Sequence, residues 1–310
     1  MARRVLESVG MELRTLRNFA AVARAGNVTR AAAALHVSQP ALSMQLRELE
    51  EEMGGPLLVR RPRGVEPTER GALLLRRADD IVALAERARD EVRSDGGQGL
   101  TGTLAIGAGE TVAFEPVARA IGELRAANPG LRIDITSGNG EDIGARIRDG
   151  TLDLALFVGP GRYKGYDYIA MPHSISWGLL VRRDSPLASR RTIRPKDLDG
   201  IPILMTRQMM VGEFLSGWLG RDCGELDVVC TYNLAYNAAV MVAAGIGSAV
   251  CIDGLVPSAY ADRVAFRLFA PAVASDAYLA WRKGVPLSRA AAALVARVRE
   301  TTDAHPATRR

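Results

Sequence analysis

Asn27-Val28-Thr29-Arg30-Ala31-Ala32-Ala33-Ala34-Leu35-His36-Val37-Ser38-Gln39-Pro40-Ala41-Leu42-Ser43 is the stretch on which the reading of the whole chain turns. Thr29 is the expected N-cap of a short helix, Arg30 to Leu35, whose alanines 31–34 leave room for close packing. After a His36-Val37 turn, Ser38 caps a second helix. Pro40 sits in its first turn, where a missing N–H costs nothing. That helix runs through Leu42, Leu46 and Leu49 to Met53, and Gly54-Gly55 stops it. Upstream, Leu13, Leu16, Phe19, Ala20 and Ala23 recur at helical spacing until Gly26-Asn27. Two short helices joined by a tight turn, the second capped and amphipathic, make a helix-turn-helix.

A recognition helix presents its N-terminal turns to base edges in the major groove. Here those turns carry Ser38, Gln39, Pro40, Ser43 and, on the same face, Arg47. Gln pairs bidentately with adenine, Ser donates or accepts, and proline meets a thymine methyl. Thr29 and Arg30, opening the preceding helix, suit phosphate contacts that set register. Next come Leu57-Leu58-Val59-Arg60 and Gly64-Val65-Glu66, flanking Pro62-Arg63, a small hairpin or wing whose tip, Arg63, is placed to enter a minor groove. Between residues 54 and 77 stand arginines 60, 61, 63, 70, 76 and 77 against only Glu66 and Glu69. The acidic run Glu48, Glu50, Glu51, Glu52 falls at the far end of the recognition helix, away from phosphate. A three-helix module for protein contacts is the alternative, and the basic wing weighs against it.

A long helix is expected from a Thr68 cap to about Arg93. Its Leu74, Ala78, Ile81, Ala85, Ala88 and Val92 alternate steps of four and three, the pattern of a coiled-coil seam for self-association. Packing on its own domain would use the same spacing. Residues 94–99 read as a flexible linker.

Beyond residue 99 strands and helices alternate. Strands are expected at 102–106, 132–136, 152–157, 177–182, 201–205, 226–231, 248–252, 264–268 and 277–281. Helices are expected at 115–128, 141–149, 212–219, 234–244 and 288–300. Such alternation argues for an α/β fold with open, largely parallel sheets. About 200 residues is generous for one sheet, so two subdomains are expected. The first spans about 100–171 and 271–303 and the second about 172–270, with junctions at Met171-Pro172 and Phe269-Ala270-Pro271. The resulting division is 11–68 for DNA binding, 69–93 for the linker and dimerisation helix, 94–99 for the linker, and 100–303 for the two-subdomain α/β part, to which the family resemblance given below assigns effector binding.

With 310 residues, 48% hydrophobic and 24% charged, the chain can bury real cores and is neither disordered nor a disulfide scaffold. The net charge of +5 permits an anionic partner. Only three of the 40 basic residues are lysines, which reads first as base-composition bias. Residues 1–10 hold Arg3 and Arg4 but no apolar stretch of signal-peptide length, so no secretory signal is expected. The uncharged run Thr231 to Ile252 carries Asn233, Asn237, Gly245, Gly247 and Ser248. It reads as a buried helix, glycine turn and strand, not a membrane span. Cys223, Cys230 and Cys251 form no CxxC pair and fit a reducing cytoplasm; Cys230 and Cys251 fall in apolar strands, as inert buried thiols do. His36, His173 and His305 are the only histidines, poor material for a catalytic triad or metal centre. No metal, cofactor or enzymatic activity is expected. A binding or transport protein on the same C-terminal fold is the runner-up, disfavoured by residues 13–67.

Residues 11–76 resemble the N-terminal domain of LysR-type transcriptional regulators. The resemblance rests on Phe19-Ala20-Ala21-Val22-Ala23, Asn27 to Ala32, Leu35 to Ser43, Leu49-Glu50 and Thr68-Glu69-Arg70-Gly71. Asp153-Leu154-Ala155-Leu156, Asp184 to Ala188 and Val242 to Gly247 resemble the family's effector domain, so the resemblance extends over about 11–300 and makes Met11 a candidate start. It implies a winged helix-turn-helix with a long linker helix, then two α/β effector subdomains like those of type 2 periplasmic binding proteins. A small-molecule effector would sit between those subdomains. It also implies a cytoplasmic, nucleoid-associated homodimer or homotetramer on an inverted-repeat double-stranded DNA site, with RNA polymerase as a candidate further partner. Ligand clefts form beyond strand carboxyl ends, where helix N-termini offer unpaired N–H groups to anions. By position the candidates are Glu110, Thr111, Ser137, Asn139, Thr206, Arg207 and Ser248. Arg207 favours a carboxylate ligand and Glu110 an amine, leaving the effector's charge open. Peroxide-sensing members place a reactive cysteine pair in this half of the domain, which Cys223 and Cys230 bring to mind. Two positions depart from the pattern: Met44 stands where arginine is common, and Pro67 is expected to shorten the wing's pairing.

Overall fold

The computed structural model describes residues 11–62, 64–93, 99–159, 165–172, 174–207, 209 and 213–303. The chain divides into two compact units, residues 1–95 and 96–310.

In the first unit, α1 (Leu13–Ala25) ends on Gly26, whose φ of +61° closes the helix in the left-handed conformation that glycine adopts without penalty. Helix α2 (Val28–Ala34) starts two residues earlier than the sequence suggests. Asn27, not Thr29, is its cap: the Asn27 Oδ1 accepts from the Arg30 N–H at 3.0 Å, leaving Thr29 in the exposed first turn. His36, with φ +55°, turns the chain into α3 (Gln39–Glu52), which Ser38 caps through its hydroxyl on Ala41 N–H, with Pro40 in the first turn. Phe19, Val22, Ala31, Ala32, Leu42, Leu46, Leu49 and Leu57 form the buried core, and Leu74 and Leu75 pack against it.

Strands β1 (Leu58–Arg61) and β2 (Gly64–Pro67) pair antiparallel in register Leu58↔Pro67 through Arg61↔Gly64. The expected shortening at Pro67 does not occur. The Glu50 carboxylate accepts the N–H groups of Leu57 and Leu58 at 2.8 and 3.0 Å, so the ladder's end is held without a donor from residue 67. Thr68 Oγ1 accepts from Gly71 N–H at 3.0 Å and opens α4 (Glu69–Arg93). Helix α4 lies on α1, joined by Arg17–Glu86 and Arg24–Asp79 ion pairs.

The second unit holds two sheets. Five strands, β3 (Gly102–Ala108), β4 (Leu131–Ser137), β5 (Leu154–Val158), β6 (Tyr166–Ala170) and β14 (Ala277–Arg282), run in the order β4-β3-β5-β14-β6. Helices α5 (Glu115–Ala127) and α9 (Arg289–Asp303) bury Val117, Ala120, Leu124, Ala291, Leu294 and Val298 in this layer's main core. Helix α6 (Gly140–Arg148) buries Ile143 and Ile147 in a second cluster.

The other sheet has order β10-β9-β11-β7-β12-β8, from β7 (Ile175–Arg182), β8 (Thr192–Ile193), β9 (Ile203–Thr206), β10 (Val228–Tyr232), β11 (Ser248–Ile252) and β12 (Val264–Phe269), with β13 (Ala274–Ser275) also on β7. Leu215 and Leu219 of α7 (Glu213–Leu219) join one of its cores. Ala238, Ala239 and Val242 of α8 (Ala235–Ala243) join the other. The chain passes between the sheets between β6 and β7 and again between β12 and β14.

Both sheets are mixed, not largely parallel as the alternation suggested. Strands β3–β4, β3–β5, β9–β10, β9–β11 and β8–β12 pair parallel. Strand β14 returns antiparallel between β5 and β6, and β7 lies antiparallel to β11 and β12. Both exceptions arise where the chain changes sheets, because a returning strand is not bound by the helix-crossover rule that makes neighbours parallel. Among the described residues, no helix is long and apolar enough to cross a membrane.

Candidate nucleic-acid interface and ligand cleft

The first site is the outer face of α3. Leu42, Leu46 and Leu49 point into the core, so Gln39, Pro40 and Arg47 stand exposed, with Ser43 half-buried at the flank. Gln39 Nε2 donates to Ser43 Oγ at 2.7 Å, one turn along the helix. That bond pre-orients two polar groups able to address base edges. Arg30 is turned back, its guanidinium on the Ala25 carbonyl, while Thr29 is exposed. Ser38 is occupied as the cap.

Two wing-region arginines have structural partners: Arg61 pairs with Glu66 at 3.0 Å, and Arg70 donates to the Gly54 and Met53 carbonyls at 3.0 and 3.1 Å, closing the end of α3. Arg60, Arg76 and Arg77 are exposed. Arg63 lies outside the described residues.

Along α4 the seam divides. Leu74 and Ala78 are covered by the chain's own first unit, whereas Ile81 is 38% exposed and Ala88 exposed, with Ala85 half-buried. The side chain of Val92 lies outside the described residues. Leu84, 44% exposed, joins the outward apolar set and was missed because it falls one residue before Ala85 in the assumed repeat.

The second site is a cleft of about 1170 Å³ in the second unit. It opens at the carboxyl ends of strands of both sheets, where ligand crevices of open α/β sheets form. Glu110, Asn139, Thr206 and Arg207 line it. Thr111, Ser137 and Ser248 do not. Thr111 is buried, with its hydroxyl capping Ala113 N–H at 3.1 Å. Ser137 is exposed at the end of β4, outside the lining. Ser248 stands at the amino end of β11 opposite Ile203, a strand's length from Cys251 and Ile252, which do line the cleft.

The lining that sequence reasoning missed includes four aromatic side chains, Phe157, Tyr166, Trp177 and Tyr232. Tyr232 lies at the carboxyl end of β10 beside Thr206, a position the strand pattern could have flagged.

At two helix N-termini facing the cleft, side chains of the chain itself already occupy first-turn amides. Asn139 Oδ1 accepts from Glu141 and Asp142 N–H, both at 2.9 Å, and so caps α6. Helix α8 begins after Leu234, which gives no side-chain cap. Glu110 Oε2 instead accepts from Ala235 N–H at 2.7 Å, reaching from the loop after β3 of the other sheet. The charged lining is therefore Glu110, Glu141 and Asp142 against Arg148 and Arg207.

Burial raises the Tyr232 phenol well above its ordinary value, with Cys251 and Glu110 adding to it, and its hydroxyl donates to the Val250 carbonyl at 2.6 Å. The Cys251 thiol is pushed up to about 12, first by burial and then by Asp253. A thiol so raised is a poor nucleophile at neutral pH. Cys223 is also buried, in the core that holds Leu215 and Leu219, whereas half-buried Cys230 packs against the core that holds Val242, and both are free thiols.

A winged helix-turn-helix followed by a two-sheet ligand-cleft unit defines a ligand-responsive regulator of transcription, and the chain belongs to the LysR family. Residues 13–72 match the bacterial regulatory helix-turn-helix protein, lysR family, and residues 97–303 match the LysR substrate binding domain. The chain is 33% identical over 285 residues to the Hca operon transcriptional activator HcaR of Escherichia coli K12, covering 88% of this chain and 93% of that protein. It is 32% identical over 291 residues to the SDS degradation transcriptional activation protein of a Pseudomonas species, covering 91% and 94%. Full-length CbnR, solved in complex with its target DNA, shares the fold with a TM-score of 0.68 at 23% identity, covering 94% of this chain and 100% of that one. The chain is thus a DNA-binding transcriptional regulator with an effector-binding domain, and its relatives are regulators, not enzymes.

Proposed function

We propose that the protein reads an inverted-repeat operator as a symmetric dimer, with Gln39, Pro40, Ser43 and Arg47 of α3 in the major groove and Thr29 and Arg30 near phosphate. The observation that carries this reading is the Gln39–Ser43 pair, held at 2.7 Å on the face of a Ser38-capped helix opposite Leu42, Leu46 and Leu49. Arg63 is assigned to the minor groove. The outward residues of α4, Ile81, Ala85 and Ala88 with Leu84, form the dimer seam, and two dimers make the homotetramer. The functional division is 11–68, 69–93, 94–99 and 100–303, with Phe269-Ala270-Pro271 as the second junction of the effector subdomains.

A small molecule in the cleft contacts Glu110, Asn139, Thr206 and Arg207. It shifts the equilibrium between two arrangements of the DNA-binding units only by its differential affinity for them. The setting is the cytoplasm, on the nucleoid, with RNA polymerase as the partner when transcription is activated.

Footprinting of the full-length protein on the DNA flanking its own gene tests this reading. The expected pattern is two protected half-sites about one helical turn, or a multiple of it, apart. A Gln39→Ala, Ser43→Ala double variant should lose about 1–3 kcal/mol of base discrimination per contact removed. Undiminished sequence preference in that variant overturns the assignment of α3.

A further inference from the structure

The outward face of α3 carries two adjacent exposed apolar side chains, Pro40 and Met44, with Arg47 beyond them. Pro40, Met44 and Arg47 recur at i, i+4 and i+7, directly opposite buried Leu42, Leu46 and Leu49, and all three are exposed. Met44 is the most prominent, at 57% exposure. The polar neighbours lie to the sides: Gln39 and Ser43 bond each other on one flank, and Gln45 turns inward to accept from Asn18 Nδ2 at 2.6 Å. Pro40 and Met44 are thus adjacent apolar groups at the centre of the face, with Arg47 beyond them. Methionine donates no hydrogen bond, and its sulfur accepts only weakly. Its unbranched thioether adapts to an apolar contact of irregular shape. On the floor of the major groove the one apolar feature is the 5-methyl group of thymine.

We infer that Met44 is a specificity-determining residue: with Pro40 it forms an apolar notch that reads the methyl of a thymine facing the middle of α3 in each half-site. The inference rests on α3 being the helix that enters the groove. A solvated or protein-contacting Met44 is the competing outcome, and the experiment separates the two.

The test uses the full-length protein and duplexes spanning its footprinted site, with each thymine in turn replaced by deoxyuridine. That exchange removes the methyl and leaves every hydrogen-bonding group in place. The expected result is one thymine per half-site at which the exchange weakens wild-type binding about fourfold, the effect of losing one buried methyl. In Met44→Ala the thymine duplex should bind more weakly and the thymine–deoxyuridine difference at that position should shrink toward zero. Met44→Gln, similar in length but polar, should lose the same difference, so the result does not depend on one variant folding.

Two results overturn the inference: no thymine whose methyl matters to the wild type, or a difference that persists undiminished in both variants. Wild-type binding to the unmodified duplex is read in the same titrations. Its absence refutes the placement of α3 on DNA, whereas intact binding with indifferent methyls refutes the role of Met44 alone.

Discussion

Asn18 is a buried amide in an otherwise apolar core, 4% exposed, and its Nδ2 has Gln45 Oε1 as acceptor at 2.6 Å. The pair ties α1 to the recognition helix at the level of the base-reading residues. Gln45→Ala leaves that donor without its acceptor and should destabilise the N-terminal unit by about 1–3 kcal/mol. Urea unfolding of the full chain measures the loss, and Asn18→Leu combined with Gln45→Leu should recover much of it. A Gln45→Ala midpoint equal to wild type would show that water replaces the acceptor. At this scale the sequence was legible where one residue type has one use: Ser38 and Thr68 cap as their positions suggested. It was not legible where two residues compete, since Asn27 and Thr29 are both good caps and only the position of the first helical turn chooses between them. Nor could it reveal that the Thr111 hydroxyl accepts from Ala113 N–H, which needs the 3-10 turn at 112–114, whereas the amino-end place of Ser248 was already readable from the expected strand 248–252.

Helix α4 can seat only because Gly71 has no side chain. A Cβ there would lie 1.9 Å from the Leu57 carbonyl oxygen, well inside any contact real atoms make. Gly71→Ala should force the helix start away from the wing and destabilise the N-terminal unit by about 1–3 kcal/mol or more, as overpacking does. The loss of its thermal transition, with the second unit's transition retained, is the signature. The elements themselves were legible from periodicity, caps and glycine stops, and each expected helix and strand has a counterpart. Among the described residues three strands escaped. Strands β8 and β13 are two residues long, and Tyr166-Asp167-Tyr168-Ile169-Ala170 forms an edge strand without clean alternation of burial. The seam of α4 was legible only as a period. The same four-three spacing serves Leu74 and Ala78, which pack on the chain's own core, and Ile81, which faces outward.

Across the whole molecule, alkaline conditions should expose the cost of keeping Cys251 neutral. The folded thiol titrates at about 12, whereas an unfolded cysteine does so near 8.5. Below pH 8 both states hold the proton, and the contribution does not vary with pH. From about pH 8.5 to 12 only the unfolded chain releases it, so stability falls as pH rises. The buried Tyr232 phenol acts in the same direction at higher pH. The fall in urea midpoint from pH 8 to pH 10 should be smaller in Cys251→Ala than in wild type; equal falls would assign the effect to other groups.

The bond from Glu110 to the first amide of α8 makes that carboxylate a tethered rival to any incoming acid. Its local concentration is set by the fold, on the order of millimolar even for a loose tether. A free carboxylate aimed at Ala235 must evict it before gaining anything, whereas a ligand without an acid group can leave it seated and use the aromatic walls. Removing the rival in Glu110→Ala should therefore tighten calorimetrically measured binding of a simple carboxylate and leave that of a neutral ligand of the same shape little changed.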